Sequence, residues 1–354
     1  MSFAATDTAS AAATPDDVVP AVLAEYGERT RAALEEYLAP REPRRHLYDL
    51  VADYPRRGGR MLRPSLCIAT ARAFGAPADD AVRSAVALEL FHNAFLVHDD
   101  VEDESTTRRG LPTLNASHGV AMAVNVGDAL SLMALRALLD NRALLGTGLT
   151  MQVFEEAERM ARETVEGQAM ELGWRRDNVL QLEDADYFVM VLKKTCWYTT
   201  IYPLRVGALI GTRGRIDVER FLRFGFFLGA AFQIRDDLLN LEGDEVRYGK
   251  ELSGDLLEGK RTLMLVHLLR SASATDRTRL GDFLARPRTE RSAADVIWLR
   301  HAMDAAGSLE YARQVAHGLA GAARHEGEQL LGALHDSIDK RFVQALPTWV
   351  LSRT

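Results

Sequence analysis

Apolar residues recur at helical spacing along most of the chain. Val19, Val22, Leu23 and Tyr26, then Leu34, Tyr37 and Leu38, predict a helix over residues 17 to 40, broken near Pro43. A short helix is expected over 46 to 53, ending before Pro55. Gly58 and Gly59 interrupt the chain, and Pro64 lies near the start of the next apolar helix, where proline is tolerated. After a loop at 76 to 80, a helix from about Asp80 runs through His92 into an acidic cluster. Gly119 and Gly127 punctuate the following stretch, where Asn125 or Asp128 is placed to cap the next helix. Residues 151 to 172 form a long amphipathic pattern. Asp184 or Asp186 can cap a helix that passes through Lys193, Lys194 and Thr195. A strongly apolar helix covers 217 to 240, and three or four more follow between 262 and 353, with breaks at 285 to 289 and 306 to 312. No convincing run alternates with the period of a strand. The expected class is all-α.

Composition narrows the function more than the fold. The chain has 354 residues, 47% hydrophobic and 26% charged, which is ample for a core. A net charge of −7 argues against a general nucleic-acid surface. No run of about 18 apolar residues is seen by eye, so no membrane span is expected. The first 16 residues are rich in Ala, Thr, Ser and Asp, and lack a basic start and an apolar stretch. They read as a disordered tail rather than a secretory signal, before a single domain over 17 to 354. Cys67 and Cys196 each sit in apolar segments and read as buried free thiols. A cytoplasmic setting follows by default. Lysine is rare, and four of the five, Lys193, Lys194, Lys250 and Lys260, fall in or beside polar motifs. A compact ammonium suits a phosphate oxygen.

The candidate chemistry lies in two acidic segments. In HNAFLVHDDVEDESTTRRG (92–110), Asp99 and Asp103 are four apart and Asp100 and Asp103 three apart, so a helix puts them on neighbouring positions. Unit charges about 4 Å apart repel by roughly 4 kcal/mol at an effective dielectric of about 20. A solvated helix end would tolerate this; a partly buried one would need a cation. A second pair, Asp236 and Asp237, ends the apolar run FLRFGFFLGAAFQI. Facing helices of a bundle can aim such groups into one cavity. Two carboxylate clusters facing each other, with cations at the rim, would hold a metal-bridged diphosphate. Arg56, Arg57, Arg60 and Arg63 cluster at a helix N-terminus, which suits an anion or a solvated basic loop. His92 is seven residues before Asp99, two turns away on a similar face.

Several motifs in order resemble the trans-isoprenyl diphosphate synthases, the polyprenyl synthetase group that includes farnesyl and geranylgeranyl diphosphate synthases. GGRMLRP (58–64) is similar to GGKRxRP, and HDDVED followed by RRG matches the first aspartate-rich motif, DDxxD. GQAMEL (167–172) resembles GQxxDL, KKT the Lys-Thr step, FQIRDDLLN the second aspartate-rich motif, and GKELSGDLLEGKRTLM its lysine-bearing loop. The resemblance covers roughly residues 40 to 320. It implies an all-α bundle around a deep cavity, usually as a homodimer. It implies that Asp99, Asp100, Asp103, Asp236 and Asp237 hold about three Mg²⁺ ions per active site, bridging an allylic diphosphate. Arg108, Lys194, Lys250 and Lys260 would contact that diphosphate. Arg60, Arg63, His92 and Arg109 would hold isopentenyl diphosphate, and Thr195 and Gln233 would line the reacting centre.

The chain departs from the family at Arg60 (usually Lys), Met61 (commonly Arg) and Asn240 (usually Asp, which takes away one candidate metal ligand). Farnesyl-type enzymes often carry an aromatic floor five residues before the first motif. Here that position is Ala94, with Phe95 beside it and Phe91 a turn deeper. A floor at Phe91 predicts a C20 product over C15. The competing expectations are a terpene cyclase on the same scaffold, which needs no isopentenyl site, and a non-catalytic partner subunit.

Overall fold

The computed structural model describes residues 15–242 and 253–353. Of the expected tail over residues 1 to 16, the first 14 lie outside them, as does Lys250, while residues 15 and 16 begin the first helix. The described chain is a helical bundle: α1 (Pro15–Tyr37), α2 (Leu62–Ala73), α3 (Asp79–Glu102), α4 (Val120–Asp140), α5 (Thr147–Arg176), α6 (Asp184–Val191), α7 (Tyr202–Gly211), α8 (Leu222–Glu242), α9 (Leu263–Ser271), α10 (Ala274–Ala285), α11 (Ala293–Ala305), α12 (Ser308–Leu331) and α13 (Ile338–Ser352). Shorter helical turns join several of these. Among the described residues the extended structure is one two-residue hairpin, Thr107–Arg108 paired with Leu111–Pro112. This is the expected all-α class.

Buried apolar side chains from Val18 to Val350 form one cluster. Within it α3 packs on α2 and α4, α8 on α12 and α13, and α7 on α2 and α5. Close approach of α7 to α2 depends on Gly207, where an added Cβ would lie 2.5 Å from the Cys67 carbonyl oxygen. Cys67 and Cys196 are free and buried, as their apolar surroundings predict.

Several boundaries differ from the sequence pattern. The fourth helix starts at Val120, so Asn125 and Asp128 lie inside it; Gly119, with φ 84°, makes the break. Apolar packing against α3 extends the helix through polar positions. Glu183 caps α6, with Asp186 returning the bond in a capping box. Asp217 caps a short 3₁₀ turn that leads into α8. Five helices, not three or four, follow residue 262. The chain from Leu192 to Ile201 is wound as a π-helix, which apolar periodicity does not reveal. Among the described residues one helical region, Val120–Leu145, is long and apolar enough by length and composition to cross a membrane, against the expectation of no such segment. Less than half of it is buried in the bundle.

Candidate active site

Helices α3 and α8 bring the two acidic segments to opposite walls of one cavity of about 290 Å³. Its lining includes Asp99 and Asp103 from the first segment, Gln233, Asp236 and Asp237 from the second, and Lys194, Thr195 and Lys260 between them. A second cavity of about 260 Å³ adjoins it, lined by Arg60, Arg63, His92 and Arg109. Arg63, His92, Arg109, Phe232 and Asp236 line both. Every expected site residue among those described lies at one of these cavities or in the helices that wall them.

The carboxylates have different surroundings. Asp103 is buried and accepts from Arg175 Nη1 at 2.6 Å and Lys260 Nζ at 2.9 Å. Burial works to raise its pKa, but Lys260, Lys194 and Arg175 hold it well below the usual carboxylate range. Asp99 is pushed up, first by burial, with Asp103 adding and Lys194 opposing. Asp237 is pushed up to about 8 by burial and by Asp255 and Asp236, while hydrogen bonds from Gln233 (2.7 Å) and Tyr187 (3.1 Å) oppose this. Thr195 donates to Gln233 Oε1 at 3.0 Å, so the Thr195–Gln233–Asp237 chain is continuous.

Asp100 behaves otherwise. It is fully buried, accepts from Tyr54 at 2.5 Å, and receives Arg108 through Nε at 2.7 Å and Nη2 at 2.5 Å. It does not line the main cavity. Here it anchors Arg108, because α3 turns it about 100° from Asp99. Lys194 is held by Glu171 Oε2 at 2.6 Å; burial opposes its charge, but Glu171 and Asp99 raise its pKa. Lys260 is similarly raised against burial, by Asp103, Glu258 and Asp255.

Sequence reasoning missed five residues at the site. Tyr54 was hidden in an unremarkable turn. Arg175 follows the GQAMEL motif by three positions. Asp255 had only its place in the polar loop. Tyr198 receives Arg63 Nη2 at 2.8 Å and stacks on His92 with centroids 5.9 Å apart. Arg353, next to the end of the chain, reaches Asp236 Oδ1 at 3.1 Å and lies over the Phe232 ring. No local pattern marks either of the last two.

Phe91, Ala94 and Phe95, the expected tail-floor positions, do not line the main cavity. Leu96 lines the main cavity, together with Tyr198, Met190 and Val191. Five positions before Asp99 turns a helical residue about 140° away, and Ala94 is fully buried. Phe91 stacks on Phe95 (6.1 Å), and Phe95 meets Tyr198 edge-on (5.6 Å), so the aromatic pair lies behind Tyr198.

The donor set suits a hard divalent cation. Five aspartates, Asp99, Asp103, Asp236, Asp237 and Asp255, face the main cavity, and burial makes two of them, Asp99 and Asp237, hold their protons more tightly than usual. Among the described residues no three His, Cys, Asp or Glu converge closely enough to hold a metal alone.

Comparison with known proteins agrees with this architecture. The family profile described as Polyprenyl synthetase matches residues 44–299. The geranylgeranyl diphosphate synthase of Saccharolobus solfataricus is 32% identical over 267 residues, covering 73% of this chain and 76% of that one. The octaprenyl diphosphate synthase of Escherichia coli is 31% identical over 290 residues, covering 82% and 83%. The Caulobacter crescentus polyprenyl synthase, solved with calcium and isoprenyl diphosphate, superposes with a TM-score of 0.80 at 25% identity, covering 98% of this chain and 99% of that one. With one cavity walled by both carboxylates and cations and a cationic one adjoining it on an all-α bundle, the chain belongs to the polyprenyl synthetase family and is a trans-prenyltransferase.

Proposed function

We propose that the protein condenses isopentenyl diphosphate with an allylic diphosphate and releases a C20 product. The observation that carries this reading is the pairing of a cavity where aspartates and cations face each other with an adjoining cationic one. Mg²⁺, about three ions when bound, would neutralise charge developing on the allylic diphosphate. Asp99, Asp100, Asp103, Asp236 and Asp237 would hold it, Asp100 by exchanging its Arg108 contact, with Arg108, Lys194, Lys260 and, outside the described residues, Lys250 on the diphosphate oxygens. The allylic C1–O bond breaks and its electron pair leaves with the diphosphate. The terminal carbon of the isopentenyl double bond forms the new bond to allylic C1, and the proton lost from C2 of the isopentenyl unit goes to the departing diphosphate. Arg60, Arg63, His92 and Arg109 fix the isopentenyl diphosphate. Thr195 and Gln233 keep polar groups ordered beside the reacting carbons. Leu96, Met190 and Val191 exclude water from the cation.

Incubation with Mg²⁺, isopentenyl diphosphate and C5, C10 or C15 primers tests this. A C20 diphosphate supports the reading in full. A C15 or longer end point keeps the activity and removes the C20 assignment. Consumption of the allylic substrate alone, giving a hydrocarbon or alcohol, favours a cyclase.

The reading includes a homodimer in the cytoplasm. Val120, Val124, Leu132 and Leu139 form one exposed stripe on α4, with Leu132 at 67% exposure. A second copy covering that stripe is supported by its apolar character and helical register. L132D should give a monomer by analytical ultracentrifugation if so. The reduced, buried thiols fit a reducing compartment.

A further inference from the structure

The second cavity contains a carboxylate that its proposed ligand does not need. Glu89 lies one turn before His92 on α3, is 3% exposed, and lines the cavity with Arg60, Arg63, His92 and Arg109. A negative charge there opposes a diphosphate through space, so its presence calls for a compensating role. The crowding of cations supplies one. Burial pulls the Arg109 guanidinium below its ordinary pKa, and Arg108, Arg63 and Arg57 pull it further; Glu89 is the group that most strongly opposes them. Burial raises the Glu89 pKa in turn, and Arg63 and Arg109 are the largest charges restoring its ionised form. Arg63 Nε is buried without a hydrogen-bond partner, so Tyr198 and His92 contacts at Nη2 and Nη1 leave that edge unanchored. Asn93 Nδ2 donates to Glu89 Oε1 at 3.1 Å and fixes the carboxylate on its own helix.

We propose that Glu89 is a positioning residue that holds Arg63 and Arg109 together in the anion cavity, so that isopentenyl diphosphate meets two preplaced guanidiniums. The proposal rests on assigning that cavity to isopentenyl diphosphate. Without the carboxylate the two cations repel, and each is drawn toward solvent by its own desolvation. The arrangement trades some through-space attraction for preorganisation.

The test compares wild type, E89Q and E89D under steady-state conditions, with the two substrates varied separately. E89Q keeps the shape and the Asn93 contact but loses the charge. Its KM for isopentenyl diphosphate should rise about tenfold, with the allylic KM changed less than about twofold. E89D retains the charge at a shorter reach and should give a smaller, equally selective rise of about threefold. Should E89Q not fold, a selective rise in E89D alone supports the proposal. A lower melting temperature with both KM values unchanged overturns it, because Glu89 would then serve packing only. A fall in the isopentenyl KM also overturns it, because the charge would then be a burden without a positioning role. Wild-type protein that turns over no primer would instead reject the cavity assignment, before any variant is compared.

Discussion

Arg108 grips Asp100 with two donors, Nε at 2.7 Å and Nη2 at 2.5 Å, and Tyr54 closes the other side of the carboxylate at 2.5 Å. The pair fastens the hairpin at Thr107–Pro112 to the end of α3. Breaking a buried pair from one side leaves the other charge uncompensated and costs about 3–5 kcal/mol. D100N should therefore lose about that much stability in denaturant unfolding and also lose turnover, since Arg108 is released. A D100N protein of wild-type stability would contradict this anchoring.

The sequence made the bundle legible because apolar positions repeat at helical spacing across nearly every element. It made the acidic walls legible because Asp99, Asp103, Asp236 and Asp237 sit in compact local motifs. It did not separate the roles of neighbouring aspartates. Asp99 and Asp100 are equivalent on paper, and only the direction of each side chain from α3 sends one into the cavity and the other onto Arg108 and Tyr54. Contacts between distant segments were also hidden. Arg353 meets Asp236 across 117 positions, and Glu89 draws its meaning from Arg109, which follows it by twenty positions through a hairpin turn. Leu96 replaces Ala94 as a wall because a shift of two residues turns the helix about 200°.

The pH dependence of the metal-free protein should report Asp237. Its pKa in the fold is about 8, against 3.8 as the ordinary value. Below about pH 4 both folded and unfolded forms are protonated, and the associated stability is fully present. As pH rises the unfolded chain ionises first, so this contribution falls, with a slope of at most about 1.4 kcal/mol per pH unit, until about pH 8. Urea titrations in EDTA should show this decline in wild type and a shallower one in D237N. Identical slopes would place the titration elsewhere.

Gly167 explains the first glycine of the GQAMEL motif. An added Cβ would lie 2.2 Å from Lys194 N and 2.7 Å from its Cα. On an exposed helix, Gly→Ala stabilises by roughly 0.5–1 kcal/mol. Here the obstacle is backbone, so overpacking of about 1–3 kcal/mol should win and reverse the sign. G167A should melt lower than wild type and lose turnover through displacement of Lys194 and Thr195. A melting temperature above wild type would refute the close-approach argument.

Arg353 holds the Asp236 carboxylate, which the proposed metal site would also use. The Arg353 side chain is buried and the Asp236 carboxylate about a third exposed, so the pair contributes only about 0–1 kcal/mol. R353A should cost little stability and lower the Mg²⁺ concentration needed for half-maximal turnover. An unchanged Mg²⁺ dependence would mean that the two cations use different faces of Asp236.

Product length should respond to Leu96 before Phe91. Leu96 lines the cavity directly, whereas Phe91 lies behind Phe95 and Tyr198. A cavity of about 290 Å³ is at the small end for ligand sites, so a growing tail must push side chains aside. L96A removes wall atoms where the tail first passes and should lengthen the main product by at least one C5 unit. L96F should shorten it. F91A opens space only after Phe95 and Tyr198 have moved, so alone it should change the distribution less, and F91A/F95A should lengthen products more than either single change. Chromatography of the dephosphorylated alcohols reads all of these. If F91A lengthens the product while L96A does not, the tail runs along the Phe91–Phe95 face and the floor lies where the aromatic spacing first placed it.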